Sequence, residues 1–296
     1  MDTRFLETLV AIVELGSIAE ASRRLGLTPA ALSQRIKALE KDIGVPLLAR
    51  SGRVVQATAA GAAILARSRE LIRDARELRS LASGGKIAGE LRLGAISSAM
   101  TGLAPPLIRA MTERSAHVEF YLRPGFSGEL FDAVVSDRLD AAIIARPSFA
   151  MPKSCDFRVL REERLILVAP RALAERNPHD ILRTEPYVRY DSAQWGSRPS
   201  EDYLRRQGIA TNDRFELDSL EAIVLMVNSG LGVSLVPEWA PPWPEGLDLV
   251  RLPLPAPAQP RQIVLVWTRA DARRHLVGLL LEAVRDVGLG EPARDR

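Results

Sequence analysis

Apolar residues recur at helical spacing from the start of the chain: Phe5, Leu9, Ile12 and Val13 share one face of a predicted helix over 4–15, with Glu7 and Glu14 off it. Gly16 ends that helix. Ser17-Ile18-Ala19-Glu20 reads as a capping box for a second helix over about 17–25: Ser17 covers an orphan amide and Glu20 reaches back to the Ser17 amide. Gly26 closes it. Thr28-Pro29 opens a third, with Thr28 as N-cap and Pro29 at the position where its missing N–H costs nothing. Leu32, Ile36 and Leu39 form an apolar stripe that leaves Ala30, Ser33, Gln34 and Lys37 outside it. Two short helices joined by a tight Gly-containing turn predict a helix-turn-helix.

Residues 45–56 read as two short strands around Ser51-Gly52, a hairpin with Arg50 and Arg53 near its tip. Thr58 then caps a long helix running to about Ala82. Along it Ile64, Leu71 and Leu78 recur every seven residues with the small Ser68, Ala75 and Ala82 between, the seam a paired helix needs. A single amphipathic helix packed on its own domain is the alternative.

After a break at 83–86, strands and helices alternate. One series has strands at 90–96, 118–122 and 141–145, with helices from about 101 and over 127–135. A second has strands at 165–168, 187–190, 214–217 and 233–236 and helices at 172–176, 201–207 and 220–228. Such alternation predicts parallel sheets covered on both faces, in two α/β lobes. The segment 237–260 holds eight prolines, yet 249–252 within it and 263–267 after it are good strands, so it reads as an ordered return between lobes. A last helix over about 273–287 would rejoin the first lobe. Ligands of open α/β sheets bind beyond the carboxyl ends of the strands, here in the crevice between lobes.

Composition is ordinary for a globular chain of 296 residues, 47% hydrophobic and 26% charged. Its net charge of +3 is unevenly spread. Residues 1–87 carry 14 basic and 9 acidic side chains and the remainder 26 and 28, so one end is suited to a polyanion. Arg35, Lys37 and Lys41 suit phosphates, and Ser33 and Gln34 suit base edges beside the small Ala30 and Ala31. The single cysteine, Cys155, excludes an internal disulfide framework and a thiolate zinc site, and His117, His179 and His275 show no ligand spacing. No metal or cofactor is expected. The first residues lack the apolar core of a signal peptide and no apolar run is long enough to span a bilayer, so a soluble, cytoplasmic protein is expected.

The run Ala21-Ser22-Arg23-Arg24-Leu25, Thr28 through Glu40, Gly44 through Arg50 and Thr58-Ala59-Ala60-Gly61 resembles the N-terminal domain of the LysR-type transcriptional regulators. The resemblance implies a winged helix-turn-helix over 1–58 whose DNA-facing residues are Thr28, Pro29, Ala30, Ser33, Gln34, Arg35 and Lys37, with Arg50 and Arg53 in the wing. It also implies a linker and dimerisation helix over 59–87, joined through Ile64, Leu71 and Leu78. Leu48 departs from the family's usual Phe, and Ala57 and Ala59 from its Leu and Pro. The resemblance continues through 139–144, 160–168 and 217–237. It implies a two-lobed effector domain over 88–296, similar to periplasmic binding proteins, with lobe I at about 88–162 and 266–296 and lobe II at about 163–265. The matching effector positions are Ser97, Ser98 and Thr101, then Gly125, Phe126, Arg146, Gly232 and Val233. For the hydroxyls, plain N-capping is the alternative; for Trp195, packing at the lobe edge competes with stacking on a ligand.

Together these imply a regulator that binds duplex DNA, is modulated by a small anionic effector, and acts as a homodimer or homotetramer, with RNA polymerase a further candidate partner. A transport-type solute-binding module explains the lobes but not the first ninety residues. An enzyme has no support from a nucleophile–base pair, a phosphate loop with Lys or a metal cluster.

Overall fold

The computed structural model describes residues 2–51, 54–82, 89–269 and 274–290, which fall into two units dividing at Gly89/Glu90. In the first, α1 (Thr3–Leu15) is capped by the Asp2 carboxylate, which accepts the Arg4 amide at 2.9 Å, and ends at Gly16 with φ 63°. Ser17 caps α2 (Ile18–Leu25) by accepting the Glu20 amide at 3.4 Å. The reciprocal half of the expected capping box is replaced: the Glu20 carboxylate pairs with Arg23 one turn on. Thr28 accepts the Ala31 amide at the head of α3 (Pro29–Ile43), and Pro29 takes the first turn as expected.

The hairpin of β1 (Leu48–Ser51) and β2 (Val54–Ala57) is antiparallel, with Leu48 opposite Ala57 and Ser51 opposite Val54. It is fastened at its base. Glu40 of α3 accepts the Leu47 and Leu48 amides through one oxygen, at 2.8 and 3.3 Å. Thr58 donates its hydroxyl to the Pro46 carbonyl at 2.8 Å and accepts the Gly61 amide at 3.0 Å, capping α4 (Ala59–Ala82). Gly61 is obligatory there, because a Cβ would stand 2.1 Å from the Leu47 carbonyl oxygen. Leu6, Leu9, Ile12, Leu32, Leu39 and Leu47 are buried together, each contributing roughly 1.5–3 kcal/mol of transfer free energy. Glu14 ties three helices, meeting Arg24 of α2 and Arg69 of α4 at 3.3 Å each.

The second unit opens with β3 (Gly89–Ala95), α5 (Ser97–Gly102), α6 (Ala104–Arg114), β4 (Val118–Pro124), α7 (Ser127–Val135), β5 (Ala141–Ala145) and β6 (Cys155–Glu163). Then come β7 (Leu165–Pro170), α8 (Pro178–Thr184), β8 (Pro186–Tyr190), α9 (Arg198–Arg206), β9 (Asn212–Leu217) and α10 (Leu220–Asn228). The unit closes with β10 (Ser234–Pro237), β11 (Leu249–Pro253), β12 (Arg261–Thr268) and α11 (Arg274–Asp286). A five-stranded sheet runs β4-β3-β5-β12-β6; a three-stranded one runs β10-β7-β11, and β8 pairs with β9.

These sheets are mixed, not wholly parallel as the alternation predicted. β3 and β5 are parallel, as are β8 and β9, but β12 runs antiparallel to β5 and β6, and β7 antiparallel to both its neighbours. The proline-rich return is ordered, and its 249–253 portion is a sheet edge. β12 belongs wholly to the five-stranded sheet, so the second crossing lies before Arg261 and not at the expected 265/266. β6, unanticipated as an element, buries only Cys155, Leu160 and Glu163 of its nine residues and so offers no alternating pattern to read. Arg114 of α6 ties α11 by a fork to Asp286 (2.6 and 2.9 Å) and a bond to Glu282 (2.9 Å).

Candidate functional site

On α3 the stripe of Leu32, Ile36 and Leu39 is buried, and its opposite side is open. Thr28, Pro29, Ala30, Gln34 and Lys37 are exposed, while Ser33 and Arg35 are half-buried. The Ser33 hydroxyl donates to the Pro29 carbonyl one turn back at 2.9 Å, which keeps its lone pairs outward as acceptors. Arg35 adds positive potential beside Asp2, whose carboxyl is held down to about 2, mainly by its hydrogen bonds to Arg4 and then by these charges. Arg50 falls on β1 with its side chain outside the described set, and Arg53 lies outside the described residues. The face is small, polar and cationic, as a major-groove reader requires.

The expected seam on α4 divides. Ile64 and Leu71 pack against the core of their own unit. Leu78 is 67% exposed, an apolar side chain with no such cover. The inward lean of the first two follows from α4 lying along α1, whose apolar face needs a partner.

In the second unit the expected ligand positions are scattered. Ser97 is exposed; Ser98 is buried and its hydroxyl accepts from Arg261 Nη2 at 3.1 Å. Thr101 donates its hydroxyl to the Ser97 and Ser98 carbonyls within its own helix, at 3.4 and 3.3 Å, and no side chain caps α5. Gly125 is half-buried and Phe126 42% exposed. Gly232 and Val233 are buried in backbone pairing: the Val233 amide donates to Pro186 at 2.8 Å, and a Cβ at Gly232 would stand 2.4 Å from the same carbonyl oxygen. Both thus have a structural task in this pairing. Trp195 packs, its ring 5.4 Å from Phe149 edge to face and 5.8 Å from Phe131.

Arg146, alone of the expected set, lines a cavity of about 570 Å³, together with Ser148, Trp195, Arg198, Arg261 and Gln262. Its backbone amide donates to the Gln262 carbonyl at 2.9 Å and its guanidinium to the Gln262 side-chain oxygen at 2.6 Å, over the Phe157 ring. Arg198 donates to the Ser148 hydroxyl at 2.6 Å. Both cations thus meet neutral partners here, where most arginines of this unit are paired with carboxylates. Arg261, only 3% exposed, is bound to the equally buried Glu163 directly across the sheet, with 2.6 Å from its Nε. The Tyr190 phenol beside them is pushed up by burial, against the opposing pull of Arg261. Arg198, Arg261, Glu163 and Gln262 were not legible beforehand: Arg198 reads as a surface charge at a helix head, and Arg261 and Glu163 read as exposed strand ends until their cross-strand pairing is known. Among the described residues no cluster of His, Cys, Asp and Glu could hold a metal, and no helix is long and apolar enough to cross a membrane.

Two family models match the chain: "Bacterial regulatory helix-turn-helix protein, lysR family" over residues 3–62 and "LysR substrate binding domain" over 84–288. Among curated relatives, the regulator IlvR of Caulobacter vibrioides is 30% identical over 97% of this chain and 98% of its own length. The hydrogen peroxide-inducible genes activator of Haemophilus influenzae is 27% identical over 97% of each. Among solved structures, a full-length OxyR variant from Pseudomonas aeruginosa superposes with a TM-score of 0.71 at 25% identity, covering 96% of this chain and 95% of that one.

Proposed function

The chain belongs to the LysR family of transcriptional regulators, and from that premise we propose that α3 reads operator DNA through Ala30, Ser33, Gln34 and Lys37 while a small anionic effector in the second unit biases that reading. The observation that carries the DNA half is the division of α3 into a buried apolar stripe and an open polar side. Gln34 suits a bidentate contact to adenine, and Lys37 and Arg35 suit phosphates. As members of such a family meet DNA, the cytoplasm is the compartment in which this chain would act.

The effector half is supported by Arg146 and Arg198, whose hydrogen-bond partners in the cavity wall, Gln262 and Ser148, are neutral. A ligand shifts an equilibrium only by its differential affinity for the two states, so the effector must favour one quaternary arrangement of a homodimer or homotetramer. The relatives include peroxide-inducible activators, but an intramolecular disulfide switch needs two thiols and these 296 residues hold one, the buried Cys155. A non-covalent ligand fits this chain better. Gel-shift titration against the promoter region flanking its gene, at low and moderate salt, tests the reading: sequence-selective retention is expected, and uniform retention of all duplexes would refute it.

A further inference from the structure

We propose that the turn Trp195-Gly196-Ser197-Arg198 is a latch that fastens the two lobes of the second unit to one another and can open while both stay folded. The chain crosses between the lobes at Arg164, between β6 and β7, and again within 254–260, between β11 and β12. Lobes joined by two such crossings can hinge about them unless side chains close the gap elsewhere. The buried clusters of lobe II draw only on residues 165–258, so its core does not rest on the contact with lobe I.

Three residues of the turn reach across. Trp195 meets two rings of lobe I, Phe149 at 5.4 Å and Phe131 at 5.8 Å, and these stand 5.7 Å from each other, so the indole completes an aromatic trio. Gly128 of α7 lies beneath it, where a Cβ would stand 3.6 Å from the indole. Gly196 lies against the head of β12: a Cβ there would stand 3.1 Å from Arg261 Nη1. Arg198 donates to the Ser148 hydroxyl at 2.6 Å. The turn is meanwhile fixed to its own lobe. Ser197 is fully buried and donates its hydroxyl to the Gln194 carbonyl at 2.8 Å, and Gln194 donates to Asp191 at 3.1 Å. Phe149, 48% exposed in the segment between β5 and β6, takes cover from Trp195 in return. Aromatic pairs are individually weak, which lets such a contact open without unfolding either lobe. Trp195 and Arg198 also line the cavity, so an effector there would act on the latch directly, a consequence that rests on the effector reading above.

The test is amide hydrogen exchange of the full chain, without DNA, read on the lobe opposite each substitution. Trp195→Ala in lobe II should speed exchange over 128–131 in lobe I about tenfold, the loss of two aromatic contacts. Phe149→Ala in lobe I should speed exchange of the Ser197 amide in lobe II about threefold or more. Trp195→Phe keeps a ring in place and should stay within about threefold of the parent. The double variant Trp195→Ala with Phe149→Ala should exchange no faster over 128–131 than Trp195→Ala alone, because both remove one contact. Exchange in β5 and β7 should be unchanged throughout, which shows that both lobes remain folded. Effects confined to the lobe that carries the substitution, fully additive effects in the double variant, or faster exchange in β5 and β7 to the same degree would each overturn the proposal. Because no DNA is present, failure of duplex recognition would sink the regulatory reading and leave the latch standing.

Discussion

Glu40→Ala tests whether the wing is set by α3 or by its own hairpin. One Glu40 oxygen accepts both the Leu47 amide at 2.8 Å and the Leu48 amide at 3.3 Å, just where the chain leaves α3 for β1. Hydrogen bonds to a charged acceptor contribute about 1.5–3 kcal/mol each in full burial. The longer bond and the partial exposure of Glu40 reduce the pair to about 2 kcal/mol in total. Since Leu47 is fully buried, its amide has no water to turn to. Loss of the acceptor should therefore raise local opening about thirtyfold, read as faster amide exchange at Leu47 and Leu48 by NMR, with exchange in the second unit unchanged. Glu40→Gln retains an acceptor and should cost about half as much. DNA affinity should fall in the same order, Ala below Gln below the parent. Unaltered exchange at both amides in Glu40→Ala would show that the turn is held by Thr58 and the hairpin ladder alone, and the reasoning would be wrong.

Gln34→Ala should lower discrimination by about 1–3 kcal/mol at one base pair, whereas Lys37→Ala should weaken all duplexes alike and reduce the salt slope by about 1 per contact; an intact operator preference in Gln34→Ala in a binding-selection assay would refute the assigned face. Leu78→Asp should shift the chain toward monomer in light scattering while leaving it folded, because Leu78 is uncovered. Leu71→Asp should instead destabilise the first unit, since Leu71 packs on that unit's core; equal effects of the two would contradict the division of the seam. The Asp2 carboxyl should titrate near pH 2 by NMR, and Arg4→Ala should return it toward the ordinary value near 4. Its folded value lies below the unfolded one, so the cap it supplies to α1 is complete above about pH 4 and fades as the pH falls toward 2. A midpoint unmoved by Arg4→Ala would assign the depression to another cause.

The first unit was legible because its instructions are local. Asp, Ser and Thr at helix heads, Gly16, Gly26 and Gly44 in left-handed conformation at helix ends, and apolar residues three and four apart all act within one or two turns. The same locality explains the half-failure at Glu20: Arg23 lies one turn on with an opposite charge, and competes successfully for the carboxylate that would have completed the box. The seam on α4 was read correctly as apolar, but periodicity gives a face and not its partner. Ile64 and Leu71 found theirs within the unit, leaving Leu78.

The second unit shows what periodicity leaves out. Strand–helix alternation along the chain marks the strands other than β6, but the direction of β12 and β7 in their sheets depends on where a distant return enters, and 237–260 delivers the chain to the sheet from the opposite end. The cavity depends on the same long-range pairing. Arg146 was recognisable because a cation following the apolar run 141–145 has to leave the strand. Arg261 and Glu163 are each unremarkable alone; the register that sets them opposite one another across β12 and β6 turns two strand-end charges into a buried pair. Removing one partner of such a pair typically costs about 3–5 kcal/mol, whereas apolar substitution of both is often neutral. Stability is therefore a weak reason for the pair to exist here. The orientation that Glu163 and Ser98 give to the guanidinium is the stronger one, and it makes the double variant Glu163→Leu with Arg261→Met the informative case: it should unfold in denaturant close to the parent's midpoint, whereas Arg261→Met alone should lose about 3–5 kcal/mol, and equal losses in the two would refute the reasoning.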